Sequence, residues 1–358
     1  MAHFALQKRP PIDPRPFQLR FESGRMPRMV DSSGTSPPPD PRLDAAQLWL
    51  EGLYQQVGSY WQPVTGDASH RRYFRVQVNG ESRIVMDAPP YKEDATRFVE
   101  IAARLRACGL HAPEIIASDL TAGYVLLEDL GDELYRDLID ENSVQDLFEE
   151  AFPALAVMAN QADCSGLPAY TEDLLYDEMY WFVDFYLNRH RHFTLNHAQR
   201  ESWARLCDAL AASALEQPTV FVHKDIHSCN LLKTVANSPG IIDFQDAVAG
   251  PLSYDFVSLV WDRYIRWPRA RLEGWMEQFR LLLDPELEPE TWVRWCDLMS
   301  LQRNIKIVGR FAILDYKEGK AGYVDMIPRF YQYILDVLPR YPQFADVAAW
   351  IRNPECAP

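Results

Sequence analysis

The sequence predicts an α+β fold of two lobes, with a small strand-rich N-terminal lobe followed by a larger and mostly helical C-terminal lobe. The segment YFRVQVNGESRIVMDA, residues 73–88, alternates apolar and polar residues on both sides of an Asn-Gly turn, which is typical of a β-hairpin. From residue 133 onward the apolar residues follow a helical spacing, apart from a strand-rich segment at 218–243. A sheet therefore precedes a helical lobe that contains short strands of its own.

The chain of 358 residues divides into three predicted segments. Residues 1–43 hold Pro-rich runs and a Ser/Gly patch, a composition that buries too little apolar surface to fold, so a disordered tail is expected. Residues 44–132 make up the N-terminal lobe and residues 133–350 the C-terminal lobe. The predicted helices are 44–57, 93–109, 143–162, 171–190, 197–215, 253–265, 270–282, 289–316 and 322–338.

Composition and charge exclude several classes of function. The net charge of −15 is opposite in sign to the basic surface that nucleic-acid binding requires. The sequence has no apolar stretch of about 20 residues, so no membrane-spanning helix is predicted. The six Cys residues are scattered and none has CxxC spacing, which fits a reducing compartment and a cytoplasmic protein. We expect a monomer that binds neither nucleic acid nor membrane.

The strongest functional signal is HKDIHSCN, residues 223–230, followed by IIDF, residues 241–244. Transfer of a phosphoryl group requires a carboxylate that orients and deprotonates the acceptor hydroxyl, together with oxygen ligands for Mg²⁺. Asp225 suits the first role, and Asn230 and Asp243 suit the second. The Asp-x4-Asn spacing, with a further Asp after a hairpin, is that of the catalytic loop in protein kinases. The sequence therefore predicts a bilobal, protein-kinase-like enzyme that uses ATP and Mg²⁺.

Two other interpretations of this segment remain open. HKDIHSCN could be an ordinary loop whose polar residues satisfy one another. Alternatively, His223, Asp225 and His227 would share one face of a strand, and an H-x-D-x-H pattern can chelate zinc. The sequence has no further His or Cys at ligand spacing, which disfavours zinc, and the Asp of IIDF disfavours a plain loop.

The pattern HxDxHxxN followed by a D-F segment resembles the signature of the aminoglycoside phosphotransferase and choline kinase superfamily. The resemblance implies Asp225 as the catalytic base, with Asn230 and Asp243 as the metal ligands. It also implies that His223 supports the loop and that Asp255, in GPLSYDF, braces it.

Further motifs resemble one branch of that superfamily, the anomeric kinases that phosphorylate N-acetylmuramate and N-acetylglucosamine at C1 in cell-wall sugar recycling. These motifs are GDASHRRYFRV (66–76), MDAPP (86–90), LLEDLG (126–131), LQRNIKIVGRF (301–311) and YKEGKAGYVDMIP (316–328). The resemblance covers roughly residues 45–350 and implies a small-molecule amino sugar as the substrate.

The N-terminal lobe is predicted to bind the nucleotide. Small residues before the hairpin let backbone N–H groups approach phosphate, and LLEDLG is expected to form a hinge whose backbone pairs with adenine. The residues assigned to these contacts are Gly66, Ala68, Ser69, Arg71, Arg72, Met86, Glu128, Asp129 and Leu130. Met86 lies where kinases place a phosphate-binding lysine, so Arg71 and Arg72 are expected to supply that charge. The helix partner of such a lysine would be Glu100, which is otherwise a surface residue.

An acceptor site for a sugar requires polar groups for the hydroxyls and an aromatic or apolar floor. Glu178, on an aromatic-rich predicted helix, and Gln245, just beyond Asp243, are assigned to this site. The lactyl carboxylate of muramate would require Arg303 or Lys306, and Arg303 is assigned as the substrate residue. In the alternative interpretation the helix is a core helix on which Glu178 is exposed, and both cations lie on a solvated helix face.

Two rival functions are compatible with the same motifs. The acceptor could instead be an aminoglycoside, choline, homoserine or a different sugar. The chain could also be a nucleotide-binding pseudokinase that acts as a scaffold. The missing strand lysine favours that interpretation, whereas the complete set of Asp225, Asn230 and Asp243 opposes it.

Overall fold

A five-stranded antiparallel sheet forms the N-terminal part of the protein in the computed structural model, which describes residues 40–64, 70–320 and 322–358. Its strands are β1 (Gln62–Val64), β2 (Arg72–Val78), β3 (Glu81–Asp87), β4 (Ile115–Asp119) and β5 (Tyr124–Glu128). Their spatial order is β1-β2-β3-β5-β4, so the predicted hairpin occupies the middle of the sheet.

The β2–β3 hairpin turns at Asn79 and Gly80, whose φ angles of 51° and 85° are the left-handed values that an Asn-Gly turn adopts easily. Alternate residues of β2, namely Phe74, Val76 and Val78, are buried on one face of the sheet. Helix α1 (Pro41–Leu53) packs on that face and completes a small hydrophobic cluster with it. The predicted hairpin is confirmed, and the first helix begins at Pro41 rather than at residue 44.

Helix α2 (Ala95–Ala107) covers the opposite face of the sheet. Asp94 caps its first turn by accepting a hydrogen bond from the backbone N–H of Thr96. The helix buries Phe98 and Ile101 in the main hydrophobic core, which it shares with Met86 of β3. The helical spacing predicted for residues 93–109 is therefore confirmed.

The remainder of the chain is mostly helical, as predicted. Its helices are α3 (Tyr135–Leu138), α4 (Val144–Gln161), α5 (Glu172–Trp181), α6 (His197–Leu215), α7 (Tyr254–Val260), α8 (Arg269–Leu283), α9 (Pro289–Glu318), α10 (Ile327–Val337) and α11 (Ala345–Trp350). The single helix predicted at 171–190 is α5 followed by a π-helix, Phe182–His190. In the part of the chain that the structure describes, no helix is long and apolar enough to cross a membrane.

Four short strands lie within the helical part and form two small antiparallel ladders. They are β6 (Thr219–Val222), β7 (Leu231–Leu232), β8 (Gly240–Ile241) and β9 (Val248–Pro251). β6 pairs with β9 and β7 pairs with β8. This pairing holds HKDIHSCN between β6 and β7 and holds the Asp of IIDF just after β8.

Helix α9 packs unusually close to the junction between α5 and the π-helix, and Gly309 makes this possible. A Cβ atom at residue 309 would lie 2.5 Å from the backbone N of Phe182 and 2.6 Å from the carbonyl carbon of Trp181. Real side chains do not tolerate such distances, so any larger residue must push the two helices apart. This close contact sets the position of α9 relative to α5.

The predicted α+β arrangement, with a strand-rich N-terminal part and a helical C-terminal part, is confirmed. The lobe boundaries at 44–132 and 133–350 stay predictions. Almost all of the predicted tail, residues 1–43, lies outside the described residues.

The substitution Gly309→Ala is expected to lower the free energy of unfolding by about 1–3 kcal/mol, because the added methyl group overpacks a backbone contact. Thermal or denaturant unfolding measures the change. Gly274→Ala is the matched control, since residue 274 is also helical and a Cβ there meets nothing within 4 Å. That control should leave stability unchanged or raise it by up to about 1 kcal/mol. Equal effects of the two substitutions would contradict the close approach of α9.

Candidate active site

The loop between β6 and β7 is anchored at its start by one buried carboxylate. Asp255, in the first turn of α7, accepts hydrogen bonds from the backbone N–H groups of His223 (2.7 Å) and Lys224 (3.0 Å). Burial raises the pKa of Asp255 to about 6, although the hydrogen bonds from these two residues oppose the shift. The two carboxylate oxygens of Asp255 thus fix the backbone that leads to Asp225.

His223 connects this loop to the segment that follows β8. Its side chain is fully buried, and its Nε2 atom lies 3.0 Å from the carbonyl oxygen of Ile242. Its Nδ1 atom accepts a hydrogen bond of 3.3 Å from the backbone N–H of Asp225. These contacts assign the proton to Nε2. His223 therefore fixes the distance between Asp225 and Asp243, which follows Ile242.

Asp225 presents its carboxylate away from the contacts that hold its backbone. Its carbonyl oxygen accepts a hydrogen bond of 2.9 Å from Nδ2 of Asn230, whereas no residue in the described part of the chain donates to its carboxylate. The preceding residue, Lys224, has a φ angle of 81°, a left-handed conformation that costs energy for any side chain. A half-buried carboxylate with open acceptor sites can accept the proton of a ligand hydroxyl.

Asn230 and Asp243 lie together beside Asp225. Nδ2 of Asn230 is 3.4 Å from one carboxylate oxygen of Asp243, and Nε2 of Gln245 donates to the other oxygen at 2.8 Å. Because Asn230 uses its amide nitrogen within the loop, its amide oxygen is left to act as a ligand. Asp243 is exposed and, with a φ angle of 65°, turns away from the path of β8. An amide oxygen beside an exposed carboxylate is a donor set that fits Mg²⁺, which takes few ligands from protein.

The zinc interpretation of H-x-D-x-H has no support in the structure. Across residues 40–64, 70–320 and 322–358, no group of three or more His, Cys, Asp or Glu side chains could hold a metal ion. His223 is instead occupied with backbone groups on both ring nitrogens. The alternative of a plain loop is disfavoured by the open carboxylate of Asp225.

Helix α2 contacts the segment that carries Asp243. Nε of Arg97 donates to the carbonyl oxygen of Gln245 (2.6 Å), and its Nη2 donates to that of Ala247 (2.5 Å). Guanidinium groups that donate to two carbonyls hold the backbone in one orientation. The N-terminal part is thereby joined to the segment that carries Asp243, through a residue that the sequence did not single out.

A second carboxylate supports the middle of the catalytic loop. Asp262 accepts a hydrogen bond from the backbone N–H of Ser228 at 3.0 Å, and Nη2 of Arg263 lies 2.9 Å from Nε2 of His227. Sequence reasoning missed both residues because it extended the helix to residue 265, whereas α7 ends at Val260. The signal available was the WDR triplet directly after an apolar helix, at 261–263.

A buried polar cluster lies between α5, α7 and α9. Glu178 is 1% exposed, and its carboxylate contacts Nζ of Lys306 at 2.9 Å, Nε2 of Gln302 at 3.1 Å and the hydroxyl of Tyr170. Nζ of Lys306 also donates to the hydroxyl of Tyr254 at 3.0 Å. Burial disfavours the charge of Lys306, but Tyr254 and Glu178 outweigh it and raise the pKa of the lysine.

Arg303 lies one helical turn before Lys306 on α9 and is 6% exposed. Burial and the charges of Arg263 and Arg303 hold the pKa of His227 well below its usual range. Arg303 therefore lies near the catalytic loop. A role in substrate binding stays a prediction for Arg303, as it does for Glu178 and Gln245.

Arg71 lies in the N-terminal part, directly before β2. Its Nε atom is 3.9 Å from Oε2 of Glu93. Burial raises the pKa of Tyr73 to about 12, with the charge of Arg71 opposing the shift and those of Asp243 and Glu93 adding to it. Arg71, Glu93 and Asp243 therefore all act electrostatically on one tyrosine. Glu100, the predicted partner of a strand lysine, is exposed on α2.

Arg72 has a different environment from Arg71. It is the first residue of β2, and its guanidinium contacts the fully buried carboxylate of Asp87 at 2.5 Å. Arg42 contacts the other oxygen of Asp87, also at 2.5 Å. Met86, on the neighbouring position of β3, is fully buried in the hydrophobic core. The roles of Arg72 and Met86 in nucleotide binding stay predictions, and Gly66, Ala68 and Ser69 lie outside the described residues.

The predicted hinge follows β5. The side chain of Glu128 contacts Nε2 of His111 at 3.1 Å, and Asp129 accepts a hydrogen bond of 2.6 Å from Nε of Arg75. These contacts turn both acidic side chains toward protein groups. Within the described residues, the backbone N–H of Leu130 has no hydrogen-bond partner. This free donor is suited to the edge of an adenine ring, and the assignment of the hinge stays a prediction.

A comparison with protein families connects this geometry to a known chemistry. The model of the family described as "Phosphotransferase enzyme family" matches residues 61–291, a range that contains Asp225, Asn230, Asp243 and Asp255. The chain belongs to this family. It is therefore an enzyme, and the resemblance drawn from HKDIHSCN is confirmed.

Two relatives of this phosphotransferase are named N-acetylmuramate/N-acetylglucosamine kinase. The protein from Pseudomonas aeruginosa is 38% identical over 86% of this chain and 95% of its own length. The protein from Pseudomonas putida is 37% identical over 88% of this chain and 97% of its own length. The phosphotransferase therefore matches these kinases over nearly their whole length.

Solved structures similar to the phosphotransferase confirm the predicted protein-kinase-like fold. An ethanolamine kinase from Plasmodium vivax superposes with a TM-score of 0.61 over 88% of this chain and 93% of its own, at 13% identity. A choline kinase from Streptococcus pneumoniae gives a TM-score of 0.59 over 83% and 100%, at 12% identity. At these identities the likeness concerns the fold alone.

The substitution Asp255→Asn is expected to lower both the stability and the turnover of the phosphotransferase. Its amide offers one oxygen acceptor and turns an NH₂ group toward the second backbone N–H, which then lacks a partner in a buried site. We expect the free energy of unfolding to fall by about 1–3 kcal/mol, and kcat to fall about tenfold or more because the backbone of Asp225 shifts.

Denaturant unfolding and steady-state kinetics measure these two effects. Asp177→Asn is the matched control, because Asp177 is exposed on α5 and the same isosteric change there removes no buried contact. A kcat in Asp255→Asn equal to that of the control would contradict the bracing role of Asp255.

Proposed function

We propose that the protein transfers the γ-phosphoryl group of ATP to the anomeric hydroxyl of an amino sugar, N-acetylmuramate or N-acetylglucosamine, and so forms the 1-phosphate. The observation that carries the proposal is the open carboxylate of Asp225 beside the ligand pair Asn230 and Asp243. The two Pseudomonas kinases support the choice of acceptor, since their similarity extends over most of the chain. Recycling of cell-wall sugars in the cytoplasm is the process that this reaction would serve.

In the proposed reaction Asp225 accepts the proton of the sugar hydroxyl while the hydroxyl oxygen forms a bond to the γ-phosphorus. The bond between that phosphorus and the bridging oxygen of the β-phosphate breaks, and ADP leaves. Asp225 suits this role because its backbone is held by Asn230 and His223, while its carboxylate has no protein donor among the described residues. Positioning of the hydroxyl and removal of its proton are the main contributions that a protein makes to phosphoryl transfer.

Asn230 and Asp243 would hold Mg²⁺, which neutralises part of the charge on the phosphate groups when bound. Gln245 orients the carboxylate of Asp243 through its hydrogen bond of 2.8 Å. Arg71, with its neighbour Glu93, takes the place of the missing strand lysine in the proposal. The backbone N–H of Leu130 would bind the adenine edge.

One experiment distinguishes an amino-sugar acceptor from the other acceptors. The purified protein with ATP and Mg²⁺ is offered N-acetylmuramate, N-acetylglucosamine, glucose, kanamycin and choline, and the linkage of each product is read by phosphorus NMR. Phosphate on C1 of an amino sugar supports the proposal. Transfer to kanamycin or choline alone would show a different acceptor, and binding of ATP without transfer to either amino sugar would contradict the proposed acceptor.

The substitution Asp225→Asn is expected to retain the fold and ATP binding but to lower kcat by about two to four orders of magnitude, the usual effect of removing a positioned general base. The amide keeps the size of the side chain but has little basicity. Steady-state kinetics measure kcat, and ATP affinity and melting temperature measured on the same sample are the controls. Turnover close to that of the wild type would remove Asp225 from the mechanism.

The substitution Arg71→Ala is expected to raise the KM for ATP by about tenfold or more, equivalent to roughly 1.4 kcal/mol, because a guanidinium proposed to bind the phosphate groups is lost. The KM for the sugar should change much less. Arg72→Ala is the matched comparison, since Arg72 is held by Asp87 and its loss should lower the melting temperature. If neither variant changes the KM for ATP, these arginines do not replace the strand lysine.

A further inference from the structure

Arg303 is a buried cation whose guanidinium has no partner in the described part of the chain. The residue is 6% exposed on α9, and no hydrogen bond or ion pair joins it to another described residue. The guanidinium nitrogens of Arg303 are not among the fully enclosed unpaired atoms of the described residues, so they keep a small opening to solvent; arginines this deeply buried are almost always paired. A buried arginine without a carboxylate is the state expected of a site that receives an anion from outside the protein.

Arg303 lies close to the loop that carries Asp225. It lies near His227, which follows Asp225 by two residues. Burial lowers the pKa of His227 most, and the positive charges of Arg263 and Arg303 lower it further. Burial also raises the pKa of Tyr254, and the charges of Lys306 and Arg303 oppose that shift. Arg303 lies one turn before Lys306 on α9, and Nζ of Lys306 contacts the hydroxyl of Tyr254, the residue before Asp255, so this part of α9 lies beside the carboxylate that anchors the loop.

Lys306 is already neutralised within the protein. Its Nζ atom contacts Glu178 at 2.9 Å and Tyr254 at 3.0 Å, and Glu178 is 1% exposed. A ligand carboxylate at Lys306 would have to compete with a buried carboxylate that is already in contact. Of the two cations, only Arg303 lacks such a competitor among the described residues.

We propose that Arg303 forms a carboxylate-binding subsite of the acceptor site, through which the enzyme prefers an amino sugar with an acidic substituent over its neutral counterpart. This inference rests on the proposed function. N-acetylmuramate differs from N-acetylglucosamine by a lactyl ether that carries a carboxylate. The planar fork of a guanidinium binds both oxygens of a carboxylate, so the pairing is directional as well as charged.

The test compares N-acetylmuramate with its lactyl amide, which keeps the size of the substituent and removes the charge. In the wild type the kcat/KM for the acid should exceed that for the amide by about 10- to 100-fold, since a site built for a polar group rejects analogues that leave it unpaired. In Arg303→Gln the ratio between the two substrates should fall to about one. Arg310→Gln is the control, because Arg310 lies on the same helix and pairs with Glu318 at the surface.

Several results would overturn the inference. A wild-type enzyme that does not distinguish acid from amide would refute it without any variant, even if Arg303→Gln failed to fold. An equal loss of kcat/KM for both substrates in a folded Arg303→Gln would show that the guanidinium acts on the transferred phosphate. Phosphorylation of neither substrate, with transfer to an unrelated acceptor, would refute the proposed function as well.

Discussion

One buried carboxylate, that of Asp255, supports the catalytic loop, and the geometry of the site depends on it. It accepts hydrogen bonds from the backbone N–H groups of His223 and Lys224. These two hydrogen bonds hold Lys224 in a left-handed conformation that its side chain does not favour. His223 then reaches the carbonyl of Ile242, so the same anchor fixes Asp225 and the residue next to Ile242. The positions of the proposed base and of a proposed metal ligand are set by a group that touches neither substrate.

Features encoded in short stretches of sequence were predicted well. The Asn-Gly turn fixed the hairpin because its conformation is a local property of two residues. The spacing of Asp225 and Asn230 placed them in one loop, and the distance of 2.9 Å between the amide of Asn230 and the carbonyl of Asp225 reflects that spacing. Their roles in catalysis and metal binding stay predictions.

Features that depend on tertiary packing could not be predicted from the sequence. Arg71 has Glu93 as its neighbour, whereas the sequence pattern points only to Glu100, exposed on α2, as the helix partner of a strand lysine that this chain lacks. Lys306 and Glu178 lie far apart in sequence, and their contact depends on the close packing of α9 on α5. A hydrophobic pattern reports which face of a helix is buried but not which polar groups meet there.

The two hydrogen bonds that Arg97 donates bear on the release of ADP in the proposed reaction. Its guanidinium donates to the carbonyls of Gln245 and Ala247 at 2.6 and 2.5 Å, so these hydrogen bonds connect α2 to the chain segment that follows Asp243. Any separation of α2 from that segment must break both bonds and return the guanidinium to water. A movement of α2 would therefore carry the segment of Asp243 with it, and in the proposed reaction this would couple the release of ADP to the release of Mg²⁺.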